Sequence, residues 1–213
     1  MYDILLFDLD GTLTDPGEGI TNSVAYALNK FGITVEDRKE LYNFIGPPLI
    51  DSFMKYYNMS YKDGLKAVEY YREYFSVTGI FENTMFNGIP ELLEKIKKSG
   101  RIVSLATSKP EQYAVRILEH FDLTKYFDFV GAATMDESRS KKADVITYTL
   151  NKLNVTDKSK VVMIGDRHHD IEGANQNGLD SIGVLFGYGD RQELETAGAT
   201  YIAKSINDII KYI

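Results

Sequence analysis

The stretch Ile4-Leu5-Leu6-Phe7-Asp8-Leu9-Asp10-Gly11-Thr12-Leu13 opens the chain with an apolar run that stops at two carboxylates and a glycine. A short run of branched and aromatic residues without polar alternation is the pattern of a strand buried on both faces. Charged side chains at the end of such a strand are costly to desolvate unless something uses them. In an open α/β sheet, ligands bind outside the carboxyl ends of the strands. Asp8 and Asp10 stand at that end, and Gly11 lets the backbone turn sharply toward a ligand. Asp-Gly is also an ordinary turn signal, so the pair by itself supports a site and a plain turn equally.

The same apolar pattern recurs at residues 102–106, 129–131, 161–164 and 181–185, and amphipathic helical stretches alternate with it at 89–98, 112–121, 143–153 and 170–176. The first of these helices has Pro90 at its start, Lys97 and Lys98 in its last turn and Gly100 just beyond. Strands and helices alternating at this pitch predict an α/β fold, a Rossmann-like parallel sheet with helices on both faces. Between Thr14 and Phe86 the alternation stops and only helical periodicity remains. Ile20, Val24, Leu28 and Phe31 form one stripe, and Leu65, Val68, Tyr71 and Phe75 form another. The aromatic group Tyr70, Tyr71, Tyr74 and Phe75 fits helix packing better than ligand stacking. The expected organisation is a core of residues 1–14 and 87–213, interrupted by a helical domain of residues 15–86. Pro16, Gly17, Asn83, Asn87 and Gly88 punctuate the two crossings.

Composition narrows the function. The chain has 213 residues, 24 basic and 31 acidic, with a net charge of −7. That acidic balance argues against a nucleic-acid polymer as partner. The absence of cysteine excludes disulfides, thiolate metal sites and a cysteine nucleophile. The first residues lack a basic, apolar leader, and no run approaches the roughly 18 apolar residues of a membrane span. A cytoplasmic protein with no membrane partner, a monomer, is the expectation.

The remaining strand ends decide between site and turn. The second strand ends in Thr107-Ser108-Lys109-Pro110, and the fourth in Gly165-Asp166-Arg167-His168-His169-Asp170. Lys141 and Lys142 precede the helix that leads into the fourth strand. Hydroxyls, backbone N–H groups and a helix start suit a phosphate. Carboxylates gathered without cysteine or a histidine triad suit a hard cation, Mg²⁺ before Zn²⁺. A phosphate held by Mg²⁺, lysine and hydroxyls in front of a carboxylate nucleophile makes a phosphoryl-transfer site.

Asp-x-Asp-Gly-Thr at 8–12, Thr107, a lysine and Gly-Asp-x-x-x-Asp at 165–170, in that order, resemble the motifs of the haloacid-dehalogenase-like superfamily. The helical insert is similar to the cap of its phosphoglycolate phosphatase and β-phosphoglucomutase branch. Residues 164–173 and 182–189 look most like the phosphoglycolate-phosphatase or 5′-nucleotidase-like members. The resemblance implies a Mg²⁺-dependent phosphatase acting on a small phosphorylated metabolite through an aspartyl phosphate. It makes Asp8 the nucleophile and Asp10 the general acid and base. It assigns Mg²⁺ to the Asp8 side chain, the Asp10 carbonyl and the Asp166 side chain, with Asp170 orienting ligands from behind. Thr107 and the Ser108 N–H would bind phosphoryl oxygens. Gly11 and Lys109 would meet the substrate in the core, and Gly46 of the Gly-Pro-Pro turn and Arg72 would meet it from the cap.

The chain departs from the family at the lysine, where Ser140-Lys141-Lys142-Ala143-Asp144 replaces the usual Lys-Pro-x-Pro and leaves the register open by one residue. Lys142 is preferred, because Lys-small-acidic-Val-Ile resembles the nucleotidase-like variant. His168 and His169 are read as turn or helix-entry residues, not metal ligands. Two rival readings use the same fold: a phosphosugar mutase of the β-phosphoglucomutase type, and a silent binding or regulatory protein. A dehalogenase would not need Asp10, and a silent protein would not need to keep Asp8, Asp10 and Asp166.

Overall fold

The structure, a computed structural model, describes residues 1–136 and 138–213. Strand β1 (Ile4–Phe7) carries Leu5, Leu6 and Phe7, all wholly buried. Successive strand residues face opposite ways, so this burial means that both sheet faces are covered. The apolar pattern predicts a strand over residues 4–9, but the strand stops at Phe7. Beyond it the backbone closes on itself: the N–H groups of Leu13 and Thr14 donate to the Leu9 carbonyl, and Gly11, at φ +79°, donates to the Thr14 carbonyl.

Strand β2 (Thr14–Asp15) pairs with β3 (Thr84–Met85) in a two-stranded sheet. Residues 14–86 were expected to lack strands; two-residue strands at the crossings are too short to leave a periodic signal. Residues Asp15–Thr84 form one compact unit. It contains α1 (Gly17–Lys30), a 3₁₀ turn over Arg38–Phe44, α2 (Leu49–Tyr57) and α3 (Tyr61–Tyr74), which runs into a π turn at Phe75–Gly79. Ile20, Val24 and Leu28 are buried as their spacing predicts. Leu65 departs from its predicted stripe and is 45 % exposed. The small residues Gly64 and Ala67 take the inner face of α3 instead, and a Cβ on Gly64 would lie 3.2 Å from Ile50. The tyrosine cluster packs the unit's own helices together, with Tyr74 on Tyr26 and Tyr70 edge-on to Phe31.

The second unit comprises Met1–Thr14 and Met85–Ile213. After α4 (Ile89–Lys98) come β4 (Ile102–Pro110), α5 (Glu111–His120), β5 (Phe129–Ala133), α6 (Lys142–Lys152), β6 (Val161–Gly165), α7 (His168–Gln176), β7 (Asp180–Val184), α8 (Arg191–Thr196), β8 (Tyr201–Ala203) and α9 (Ile206–Ile209). Six strands form one parallel sheet in the order β5-β4-β1-β6-β7-β8. The short elements α8, β8 and α9 had no sequence signal. The sheet order reverses at β1, which lies between β4 and β6, with Phe7 level with both Leu105 and Ile164. The carboxyl ends of β1, β4 and β6, the three strands that carry the sequence's polar clusters, therefore emerge side by side. Helices α6 and α7 pack on this part of the sheet, with Val145, Ile146 and Ala174 against Leu6, Ala106 and Met163. Among the described residues, no helix is long and apolar enough to cross a membrane.

Candidate active site

Helix α6 settles which lysine reaches the site. Its buried positions include Lys142, Val145, Ile146 and Thr149, the i, i+3, i+4, i+7 face of one helix. Lys142 is thus the first residue of the core-facing stripe, whereas Lys141 precedes the helix in an extended conformation and is exposed. Helix α6 was expected to begin at residue 143; its start one residue earlier places Lys142 on that stripe. The Lys142 ammonium lies 2.7 Å from Asp8 Oδ1 and 2.8 Å from Asp170 Oδ1. It donates a hydrogen bond to the Ala106 carbonyl at 3.0 Å. Burial works against its charge, yet Asp170 and Asp8 outweigh that and hold its pKa above the ordinary lysine value.

Asp166 and Asp170 leave the end of β6 and are almost wholly buried. Both oxygens of Asp166 are held: Thr12 Oγ1 donates to Oδ1 at 3.2 Å, and the Tyr188 backbone N–H to Oδ2 at 2.8 Å. Asp170 Oδ2 accepts from the Arg167 N–H at 3.1 Å and so caps α7, which starts at His168 and not at residue 170 as expected. Glycines make the enclosure close. A Cβ on Gly187 would lie 2.3 Å from the Gly11 carbonyl oxygen and 2.4 Å from Asp166 Cβ, and one on Gly165 would lie 2.2 Å from Asp170 Cγ. Only a glycine lets those backbone segments approach the carboxylates this closely.

Strand β4 extends past its predicted end at residue 106 to Pro110, because its pairing with β5 resumes after an irregularity between Thr107 and Pro110. Thr107 and Lys109 are consequently buried. Thr107 Oγ1 accepts from the Lys109 N–H at 3.2 Å, so the hydroxyl proton remains available to donate elsewhere. The Lys109 ammonium forms an ion pair with Asp10 Oδ2 at 2.7 Å. Ser108 is half-buried between them.

The carboxylates exceed their counter-charges. In direct contact are Asp8 and Asp170 with Lys142, and Asp10 with Lys109, while Asp166 has no ammonium within ion-pair distance among the described residues. Burial first, then the charges of Asp170 and Asp8, push Asp166 well above the usual carboxylate range. Burial also raises Asp170, to about 6, despite the pull of Lys142. Asp10 is raised by burial against the opposing charge of Lys109. Oxygens Oδ1 of Asp8, Asp10 and Asp170 are buried and receive no well-directed hydrogen bond, although two of them make the ion pairs with Lys142. One oxygen each from Asp8, Asp166 and Asp170 lies within 4.8 Å of the others. A buried, all-oxygen donor set with surplus negative charge and unused lone pairs fits a hard divalent cation.

Thr12, Tyr188 and Glu193 were missed in the sequence. The Thr12 signal lay in the Asp-Gly-Thr run itself; the other two had none. Glu193 Oε1 accepts from Arg167 Nε at 2.9 Å, the His168 N–H at 2.9 Å and His168 Nδ1 at 2.7 Å, and so ties α8 to the turn that carries Asp166 and Asp170. Burial would raise this carboxyl, but the His168 backbone N–H and the Arg167 and His168 side chains bring it down to about 2. Gly46 and Arg72 belong to the helical unit. Gly46 is exposed at φ +104° between the 3₁₀ turn and α2, and Arg72 is half-buried on α3.

Known proteins resemble this chain in sequence and in overall fold. Residues 5–184 match the family described as haloacid dehalogenase-like hydrolase. A 5′-nucleotidase of Pseudomonas aeruginosa is 44 % identical over 94 % of this chain and 90 % of its own length. The tyrosine-protein kinase PtkA of Mycobacterium tuberculosis is 35 % identical over 93 % of this chain and 67 % of its own. A crystal structure described as a predicted phosphatase from Clostridium acetobutylicum superposes with a TM-score of 0.96 at 48 % identity, covering 100 % of this chain and 98 % of that one.

Proposed function

The chain belongs to the haloacid dehalogenase-like hydrolase family, and from that premise we propose that it is a Mg²⁺-dependent phosphatase of small phosphomonoesters that works through an aspartyl phosphate on Asp8. The observation that carries this reading is the environment of Asp8: a buried carboxylate at a strand end, 2.7 Å from a buried lysine and grouped with two further carboxylates.

In the first step an oxygen of Asp8 attacks phosphorus, the ester P–O bond breaks, and the leaving oxygen takes a proton from Asp10. A carboxyl raised by burial holds that proton more readily than an exposed one, which suits a general acid. In the second step the Asp10 carboxylate takes a proton from water as that water attacks the phosphoryl group, which releases inorganic phosphate and restores Asp8. The Lys142 ammonium offsets the charge of Asp8 and of the incoming phosphate together. Thr107 and the Ser108 N–H hold phosphoryl oxygens. Asp8 and Asp166, with the Asp10 carbonyl, would hold Mg²⁺, with Asp170 beside them; the ion supplies charge neutralisation to the transferring group. The helical unit Asp15–Thr84 corresponds to the cap that the family resemblance implies, and Gly46 and Arg72 are its candidates for substrate selection.

A nucleoside monophosphate or phosphoglycolate is the proposed substrate type, the former first, because the 44 % identical relative is a 5′-nucleotidase. The test is phosphate release from a panel of nucleoside monophosphates, phosphoglycolate and sugar phosphates, with Mg²⁺ and with a chelator. Release that needs Mg²⁺ and disappears in Asp8→Asn is expected. A flat panel from folded protein refutes the proposal, and sugar-phosphate isomerisation without net phosphate release identifies a mutase instead.

A further inference from the structure

We propose that His168, His169 and Glu172 form a second cation site, for a transition ion such as Zn²⁺, on the first turns of α7 and separate from the carboxylate cluster. One potential ligand atom of each lies within 4.8 Å of the other two. The two imidazole rings stand 3.8 Å apart, and His168 and Glu172 are four residues apart on α7 and share a face.

A second contact orients His168. His168 Nδ1 lies 2.7 Å from Glu193 Oε1, and an ionised carboxylate only accepts, so the neutral imidazole that binds a metal keeps its proton on Nδ1 and offers Nε2. The same oxygen is fixed by Arg167 Nε and by the His168 backbone N–H. A carboxylate behind the remote nitrogen of an imidazole is the arrangement that sets the tautomer and direction of a metal-binding histidine. Glu193 also answers the nearby Arg167 charge at 2.9 Å, which would otherwise repel a cation.

The donor types separate this site from the one around Asp8. Two imidazoles and a carboxylate suit Zn²⁺, Ni²⁺ or Cu²⁺, whereas oxygens alone suit Mg²⁺. Ligands at zinc distances in a tetrahedral shell stand about 3.3 Å apart. The exposed Glu172 and the half-buried His169 are the members placed to close that gap around the held His168. The fourth position falls to water. A bound ion would brace the turn that carries Asp166 and Asp170.

The experiment uses tag-free protein, saturated with Mg²⁺ to occupy the carboxylate cluster and titrated with Zn²⁺ against a chromophoric chelator. One Zn²⁺ per chain is expected, with an affinity at least about tenfold weaker in His168→Asn, His169→Asn and Glu193→Gln, the last as the outer partner. The chain has three histidines, so ¹⁵N spectra of the wild-type imidazoles give a readout that needs no variant. The His168 and His169 signals should shift with Zn²⁺ while that of His120 stays. Unmoved His168 and His169 signals, or unchanged affinity in a folded variant carrying both His168→Asn and His169→Asn, would overturn the proposal. So would loss of Zn²⁺ binding once Mg²⁺ is saturating, which would assign the ion to the carboxylate cluster.

Discussion

Replacing Lys142 with methionine keeps a long unbranched chain in place and removes its charge. The ammonium is buried and contacts two buried carboxylates at 2.7 and 2.8 Å. Removing one partner of a buried ion pair costs about 3–5 kcal/mol, because the other charge is left uncompensated. Here two carboxylates lose the same cation, so the upper part of that range applies at pH 8 in chelator. For a domain of 150–250 residues each 1 kcal/mol lowers Tm by about 2–4 °C, so a loss of about 4 kcal/mol corresponds to about 8–16 °C. At pH 5.5 the deficit should shrink. Asp170 already titrates near 6, and a proton can take the place of the missing ammonium. Lys141→Met is the paired control, an exposed residue at the mouth of the same helix, with an expected change within about 0.5 kcal/mol. Circular-dichroism melts of the three proteins at both pH values, with and without Mg²⁺, measure the effect, and turnover should collapse only in Lys142→Met. Superimposable melts for Lys142→Met and wild type at pH 8 in chelator would refute the claim that this lysine balances the buried carboxylates. An equal effect of Lys141→Met would refute the assignment of register.

Asp10→Asn should retain the first step with nitrophenyl phosphate, whose leaving group needs no acid, and stall at the second; rapid mixing should give a burst of about one nitrophenolate per site, the fingerprint of a covalent intermediate. No burst with intact substrate binding would remove Asp10 from the acid–base role. Gly187→Ala puts a Cβ 2.3 Å from the Gly11 carbonyl, so it should cost about 1–3 kcal/mol in a melt and weaken Mg²⁺ binding by displacing Asp166; an unchanged Mg²⁺ isotherm would show that the enclosure is not tight. Mg²⁺ affinity, followed by calorimetry, should fall as pH drops through about 6, because protons compete for Asp170. Without Mg²⁺ the sign reverses. A carboxyl raised in the folded state binds its proton more tightly there, so its contribution to stability is present at low pH and is lost as pH rises from about 4 to about 6.

Much of this protein is legible in its sequence. The apolar runs that become β1, β5, β6 and β7, and the helices between them, follow from local periodicity, which each segment carries in itself. So do the acidic strand ends, because a carboxylate beside an apolar run is conspicuous wherever the chain later goes. Elements below that length left no trace: β2 and β3 have two residues each, β8 three and α8 six. The predicted place of Leu65 failed for a related reason. An apolar stripe marks which residues could face inward, but Gly64 and Ala67 allow closer approach and decide which ones do.

The chemistry of the site needed the tertiary structure. The sequence favours Lys142 over Lys141 by resemblance alone; one residue of helical rotation is what buries Lys142 against Asp8 and leaves Lys141 exposed. Thr12 and Asp166 lie 154 residues apart and meet because β6 packs directly against β1. The ion pair of Lys109 with Asp10 exists because β4 occupies the other flank of β1 and runs on past Thr107. Glu193 reaches Arg167 and His168 from a helix too short to announce itself. A sequence states which side chains are available and which secondary structure each segment prefers. Strand order and helix rotation are fixed by packing the whole sheet at once, and they decide which charges are left facing one another without water.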